Sequence, residues 1–262
     1  MTADPLTLAE LSSRDRIEAL RRRMASIPAR TDGSAAQAVP VEQAEARFET
    51  RQEAATESAS SVLEVHPEIA TLLPRGGLAR GSVVSVDGAS SVLLSLLASV
   101  TGSGKHAAII GLPKLGLLAA TEMRADLGKC ALISSPSETA IDAAAILLDG
   151  MDLVVLGLAG ADVPPTRARA VIARARSKGA CLVVTEGRWG GADIRLQSRV
   201  VGYTGIGLGH GRITGVCVDV EVSGRGMRPQ STRLDLSPTD GVVGWTPHDP
   251  GRPSPQVLSR AL

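Results

Sequence analysis

Between Ser82 and Thr185 the chain repeats one pattern: a short, unbroken apolar run, a turn, then a stretch with helical periodicity. The runs are Ser82 to Val86, His106 to Gly111, Cys130 to Ser134, Asp152 to Leu158 and Cys181 to Thr185. Between them the spacing predicts helices over Ser90 to Val100, Leu115 to Asp126, Ser137 to Leu148 and Thr166 to Lys178. A strand that alternates polar and apolar residues is wet on one face; one that is apolar throughout is buried on both. Repeated βα units with such strands therefore predict a parallel sheet flanked by helices, joined by right-handed crossovers.

After Gly187 the pattern changes. Ile194 to Gly207 and Ile213 to Ser223 read as strands, with Leu208-Gly-His-Gly-Arg212 between them, and Ser231 to Leu236 adds a third. Val216, Val218, Val220 and Val222 alternate with Cys217, Asp219 and Glu221, so one face of this antiparallel extension is expected to meet water. At the other end, Ser13 to about Ser26 reads as a helix with Ile17, Leu20 and Met24 on one face and Pro28 just beyond it. The expected organisation is an N-terminal helix (1–28), a polar linker (29–60), an α/β core (61–236) and a Pro/Gly-rich tail (237–262) carrying Trp245, Val257 and Leu258 as isolated apolar residues.

Composition excludes several classes. With 28 Lys and Arg against 27 Asp and Glu, no whole-surface field favours nucleic acid or membrane. Phe48, Trp189, Tyr203 and Trp245 are the four aromatic residues of the 262, too few for a base-stacking platform. Cys130, Cys181 and Cys217 form no CxxC pair, and His66, His106, His210 and His248 are scattered, so the expectation is free thiols, a reducing compartment and no metal or cofactor. No run of 18 apolar residues and no signal-like N-terminus occurs; the reading is a cytoplasmic protein away from membranes.

A strand, a glycine turn and a helix opening a parallel sheet is the topology of a P-loop nucleotide-binding domain. That chemistry needs GxxxxGK[ST], in which backbone N–H groups wrap the phosphates, Lys reaches the outer ones and the hydroxyl holds magnesium. The corresponding stretch here is Val86-Asp-Gly-Ala-Ser-Ser-Val92. It keeps Gly88, Ser90 and Ser91, but no Lys follows before Lys105, and Asp87 adds negative charge. Gly104-Lys105 follows a helix and precedes a strand, the reverse of the required context. The magnesium acid is missing as well: Asp152 begins its strand instead of ending it, about 15–17 Å from a nucleotide at ~3.3 Å per residue. The nucleotide site is degenerate, and no catalytic residue is expected.

Leu72-Leu-Pro-Arg-Gly-Gly-Leu-Ala-Arg-Gly-Ser-Val-Val-Ser-Val-Asp-Gly88 resembles the start of the RecA-like core. With Ile110-Gly-Leu-Pro-Lys-Leu-Gly-Leu-Leu-Ala-Ala120 and Leu147-Leu-Asp-Gly-Met-Asp-Leu-Val-Val155 it is similar to the actinobacterial ImuA-prime branch of the ImuA family, over roughly Val62 to Leu236. The resemblance implies a RecA-like α/β fold and a role as accessory factor in damage-induced (SOS) mutagenesis and translesion synthesis. The implied partners are an ImuB-type pseudo-polymerase and an error-prone C-family DNA polymerase, with nucleoid association during DNA damage. Weak DNA contact and self-association stay open.

The segment Thr166 to Lys178 carries Arg167, Arg169, Arg174, Arg176 and Lys178 around an apolar stripe of Ala168, Val171, Ile172 and Ala175. It reads either as a solvated face or as a surface for DNA or an acidic partner. Trp189 reads as a core plug or a binding anchor, and Trp245 as an anchor, together with Ile17, Leu20, Met24, Val257 and Leu258. Two other functions remain in view: an ATPase whose lysine comes from Lys105, Lys114, Lys129 or Lys178, in cis or from a neighbouring subunit, and a SulA-like cell-division inhibitor sharing RecA-like ancestry.

Overall fold

A computed structural model describes residues 62–134, 137–207 and 210–249. Thirteen strands and five α-helices run through them, and nine of the strands form a single mixed sheet. The expected apolar runs become β3 (Val83–Gly88), β4 (Ala107–Ile110), β5 (Cys130–Ile133), β6 (Leu153–Gly157) and β8 (Cys181–Thr185). They lie parallel in the order β3-β8-β6-β4-β5, as their unbroken apolarity predicts, but β5 is the edge strand and, against the expectation of burial on both faces, its Leu132 is exposed. Side chains alternate between two cores. Val84, Ile109, Val155 and Val183 enter the first, and Val83, Ile110, Leu156 and Leu182 enter the second, on the opposite face.

The first core lies under α1 (Pro67–Ala70), α2 (Ser90–Gly102) and α3 (Leu117–Glu122). Helix α2 is apolar almost all round, and accordingly nearly its whole length is buried. A small hairpin of β1 (Val62–Glu64) and β2 (Gly77–Ala79) packs with it. The second core lies under α4 (Ser137–Leu147) and α5 (Pro165–Lys178). Proline at the first turn and Gly179 beyond the last, at φ 63°, bound α5, and its buried residues are the expected Ala168, Val171, Ile172 and Ala175. Helix α3 stops short of the expected Asp126 because Arg124 turns left-handed at φ 70°, and it starts at Leu117, after Gly116, instead of at the expected Leu115. The two-residue strands β7 (Asp162–Val163) and β9 (Arg188–Trp189) pair beside α5, and Trp189, 3% exposed, plugs the second core.

Strand β10 (Ile194–Gly207) joins β3 in parallel and starts an antiparallel ribbon with β11 (His210–Gly224) and β12 (Met227–Thr239). Val218, Val220, Val222, Leu234 and Leu236 extend the first core along one face. Cys217, Asp219, Arg233 and Asp235 alternate with them, and among the described residues no ribbon residue joins the second core.

The expected tail begins too early. Residues 242–247 form β13 (Val242–Pro247), paired with β12 through the two-residue turn Asp240-Gly241. Both turn residues have positive φ, 51° and 79°, the conformation that makes Asp-Gly a strong hairpin signal. Trp245 is 4% exposed and sits in the first core, so it is no free anchor; a large apolar ring next to an extending core is buried by it. Ile17, Leu20, Met24, Val257 and Leu258 lie outside the described residues.

Candidate functional site

Strand ends are where a doubly covered parallel sheet can place polar chemistry, and the carboxyl ends here frame a cavity of about 480 Å³. Asp87, Gly88 and Ser90 line it from the β3–α2 turn, Lys114 from the loop after β4, and Thr185 and Glu186 from the end of β8. Gly88 and Ser90, two of the three residues the sequence retains at the expected phosphate-loop position, thus line a cavity at the carboxyl edge of the sheet. The turn itself is committed elsewhere. Ser198 of β10 takes the Ala89 N–H on its hydroxyl (2.9 Å) and carbonyl (3.3 Å), and its hydroxyl lies 3.1 Å from the Asp87 carbonyl. Gly88, at φ 99°, lets the chain pass so close that a Cβ would run into the Ser198 carbonyl.

Two further features separate this cavity from a phosphate cradle. Its lining carboxylates, Asp87 and Glu186, outnumber its one cation, Lys114, and Asp87 accepts a 3.1 Å bond from Ser85. Ser91, the last of the retained positions, does not line the cavity, and among the described residues its buried hydroxyl has no hydrogen-bond partner. Ala159 and Glu186, both lining residues, adopt left-handed backbone at φ 48° and 57°, conformations that cost non-glycine residues about 1–3 kcal/mol. Of the four lysines, Lys114 is the one that lines the cavity.

Asp152 is held at the opposite, amino edge of the sheet. Its carboxylate pairs with Arg80 (2.7 Å) and accepts the His106 N–H (2.9 Å). Burial pushes this carboxyl up, but those two partners outweigh it and hold it below its ordinary value. It is a structural clamp between β6, β4 and the turn before β3.

The basic helix presents its cations outward, and acids from its neighbours answer most of them. Arg174 forms a bidentate pair with Asp149 (2.6 and 2.8 Å), and Lys178 lies 3.9 Å from the same carboxylate. Arg167 pairs with Asp142 and Arg176 with Asp193. Sequence periodicity gives the stripe correctly but not its compensation, because Asp142 and Asp149 belong to α4 and its C-terminal turn.

Sequence reasoning passes over one grouping altogether. Cys217, Asp235 and His248 meet on the open face of the ribbon, their donor atoms within 4.8 Å of one another. They come from three places in the chain, so no local spacing signals them.

These features define a mixed α/β protein with a parallel core, an antiparallel ribbon and a cavity at the carboxyl edge of its strands. Residues 71–191 match the MT3502 N-terminal domain family. The uncharacterized protein Rv3395c of Mycobacterium tuberculosis is 51% identical over 164 residues, covering 59% of this chain and 79% of that one. At that identity and coverage, the chain belongs to one family with this mycobacterial protein. Among the described residues no helix is long and apolar enough to cross a membrane.

Proposed function

We propose that the chain is a RecA-like accessory protein of damage-induced mutagenesis, an adaptor for an ImuB-type pseudo-polymerase and an error-prone C-family polymerase in which ATP chemistry has been lost. One observation carries this reading: the β3–α2 turn stands at the carboxyl edge of a parallel sheet, yet its Ala89 N–H is spent on Ser198 and its cavity is acidic. The ImuA-prime resemblance supplies the pathway, and the mycobacterial relative is consistent with an actinobacterial lineage. The ion-paired state of α5 favours a protein partner over DNA, since a DNA footprint needs uncompensated cations.

The test is affinity capture of the full chain from damaged cells, together with titration of magnesium ATP. The expected result is capture of the pseudo-polymerase without nucleotide, and no micromolar ATP binding. ATP binding that is lost in Lys114→Ala overturns the adaptor reading in favour of an ATPase with a displaced lysine. Filamentation on overexpression without DNA damage favours the cell-division inhibitor instead. Because β13 belongs to the sheet, a terminal deletion that probes partner binding has to spare it: removal of 1–55 and, separately, of 250–262.

A further inference from the structure

The ribbon's open face brings three different donor types to one point. Cys217 and Asp235 are directly opposed across β11 and β12. His248 follows β13, where its N–H continues the ladder to the Arg233 carbonyl at 3.1 Å. Its Nδ1 lies 3.0 and 3.1 Å from the two Asp235 carboxylate oxygens and 3.6 Å from Cys217 Sγ. The side chains of His248 and Asp235 are 17% and 13% exposed, and Cys217 is fully buried.

This is not a nucleophile with its base. A Cys-His-Asp relay needs the thiol on one ring nitrogen and the carboxylate on the other. Here both face Nδ1. A plain Asp235–His248 hydrogen bond accounts for the ring and the carboxylate, but it leaves a buried sulfur aimed at a nitrogen that is already engaged.

A metal ion accounts for all three. Tetrahedral zinc with bonds of about 2.3 Å to sulfur and about 2.0–2.1 Å to nitrogen or oxygen has ligand-to-ligand edges of about 3.3–3.6 Å. The 3.6 Å separation of Sγ and Nδ1 matches such an edge, and the 3.0 Å hydrogen bond is slightly shorter, as it is before an ion displaces the shared proton. The competing cation, Arg233, is turned away by a bidentate pair with Asp219 (2.6 and 3.1 Å). The geometry points to a binding site for a zinc-class divalent cation formed by Cys217 Sγ, Asp235 and His248 Nδ1. Binding expels the thiol proton and leaves the ring's proton on Nε2, since Nδ1 has to present its lone pair to the ion. Three protein ligands leave a fourth position for water. The ion ties β11 and β12 to the segment after β13, and so holds Trp245 in the core. The sequence reading of no metal site rests on local spacing, which does not register donors that strand pairing brings together.

The test uses the full chain, stripped with a chelator, kept reduced and titrated with cobalt(II) alone. One equivalent is expected to produce a near-ultraviolet thiolate-to-cobalt charge-transfer band and the visible bands of tetrahedral cobalt, both displaced by zinc. Zinc should also raise the melting temperature of the stripped protein. Cys217→Ser should abolish the charge-transfer band, whereas Cys130→Ser should keep it. His248→Gln should weaken affinity by more than the roughly 10–100-fold that loss of an outer-shell group costs. If Cys217→Ser does not fold, His248→Gln decides the matter alone, since its ring is outside the core. No charge-transfer band at one equivalent, a band that survives Cys217→Ser, or cobalt affinity unchanged in His248→Gln overturns the site.

Discussion

The strands β3, β8, β6 and β4 are packed on both faces, whereas the ribbon of β10 to β13 is packed on one. In the doubly covered half, interior strand positions are apolar apart from the buried Ser85 of β3, and the ionic side chains stand at strand ends: Arg80 and Asp152 at the amino edge, Asp87 and Glu186 at the carboxyl edge. The ribbon's free face can instead hold polar side chains in mid-strand, about 4.8 Å apart from one strand to the next. That is how Cys217, Asp235 and His248 meet, and how Asp219 collects both Arg233 and Arg199. The matched MT3502 domain, residues 71–191, ends before β10 begins at Ile194, so it covers the first kind of packing. Sites at strand ends belong to a topology; sites on an open face belong to a register.

The seam between the halves is the place to break this comparison with the largest effect. Gly88→Ala sets a Cβ against the Ser198 backbone at a left-handed position, and neither strand can yield without losing its partner. We expect a destabilisation of more than about 4 kcal/mol in urea unfolding, or an insoluble product. Stability within about 1 kcal/mol of the parent would show that the seam is loose and that the two halves fold independently.

Arg80→Ala tests the amino edge of the covered half. It leaves the half-buried Asp152 carboxylate without its cation, at an expected cost of about 2–3 kcal/mol, reduced from that of a fully buried pair by solvent access. A loss below about 0.5 kcal/mol would place that edge with ordinary surface pairs.

Acid titration compares the halves directly. Asp152 and Asp219 are both held below the ordinary carboxylate value of 3.8, Asp219 chiefly by its Arg233 hydrogen bond. Each carboxylate binds a proton less readily in the folded chain, so its contribution is fully present above 3.8 and is lost as pH falls through the lower folded value. Asp152→Asn should flatten the acid limb of stability more than Asp219→Asn, since the latter pair is better solvated. Equal flattening would remove the distinction.

The smallest effect belongs to the open face itself. Arg233→Ala, although it breaks a bidentate bridge, should lower stability less than Arg80→Ala does and respond to salt, because the arginine is half exposed. A larger, salt-independent loss would mean that the ribbon face is covered in solution.

Some of this was written locally. Unbroken runs such as Leu153-Val-Val-Leu-Gly157 specify doubly buried parallel strands; Pro165 and Gly179 bound α5; and the stretch after Gly88 lacks the lysine that a phosphate loop requires. The last ribbon strand was legible too, in Asp240-Gly241, but the Pro and Gly content around it outweighs that signal when composition is read first. Periodicity, turn chemistry and caps act over a few residues, which is why sequence carries them. The seal of Ser198 on the β3 turn, the neutralisation of α5 by α4, and the meeting of Cys217 with Asp235 and His248 depend on which strands and helices become neighbours and in what register. Those are set by the packing of the whole chain. Residues 13 to 111 positions apart share a site only after the sheet has ordered them, and no local preference encodes that distance.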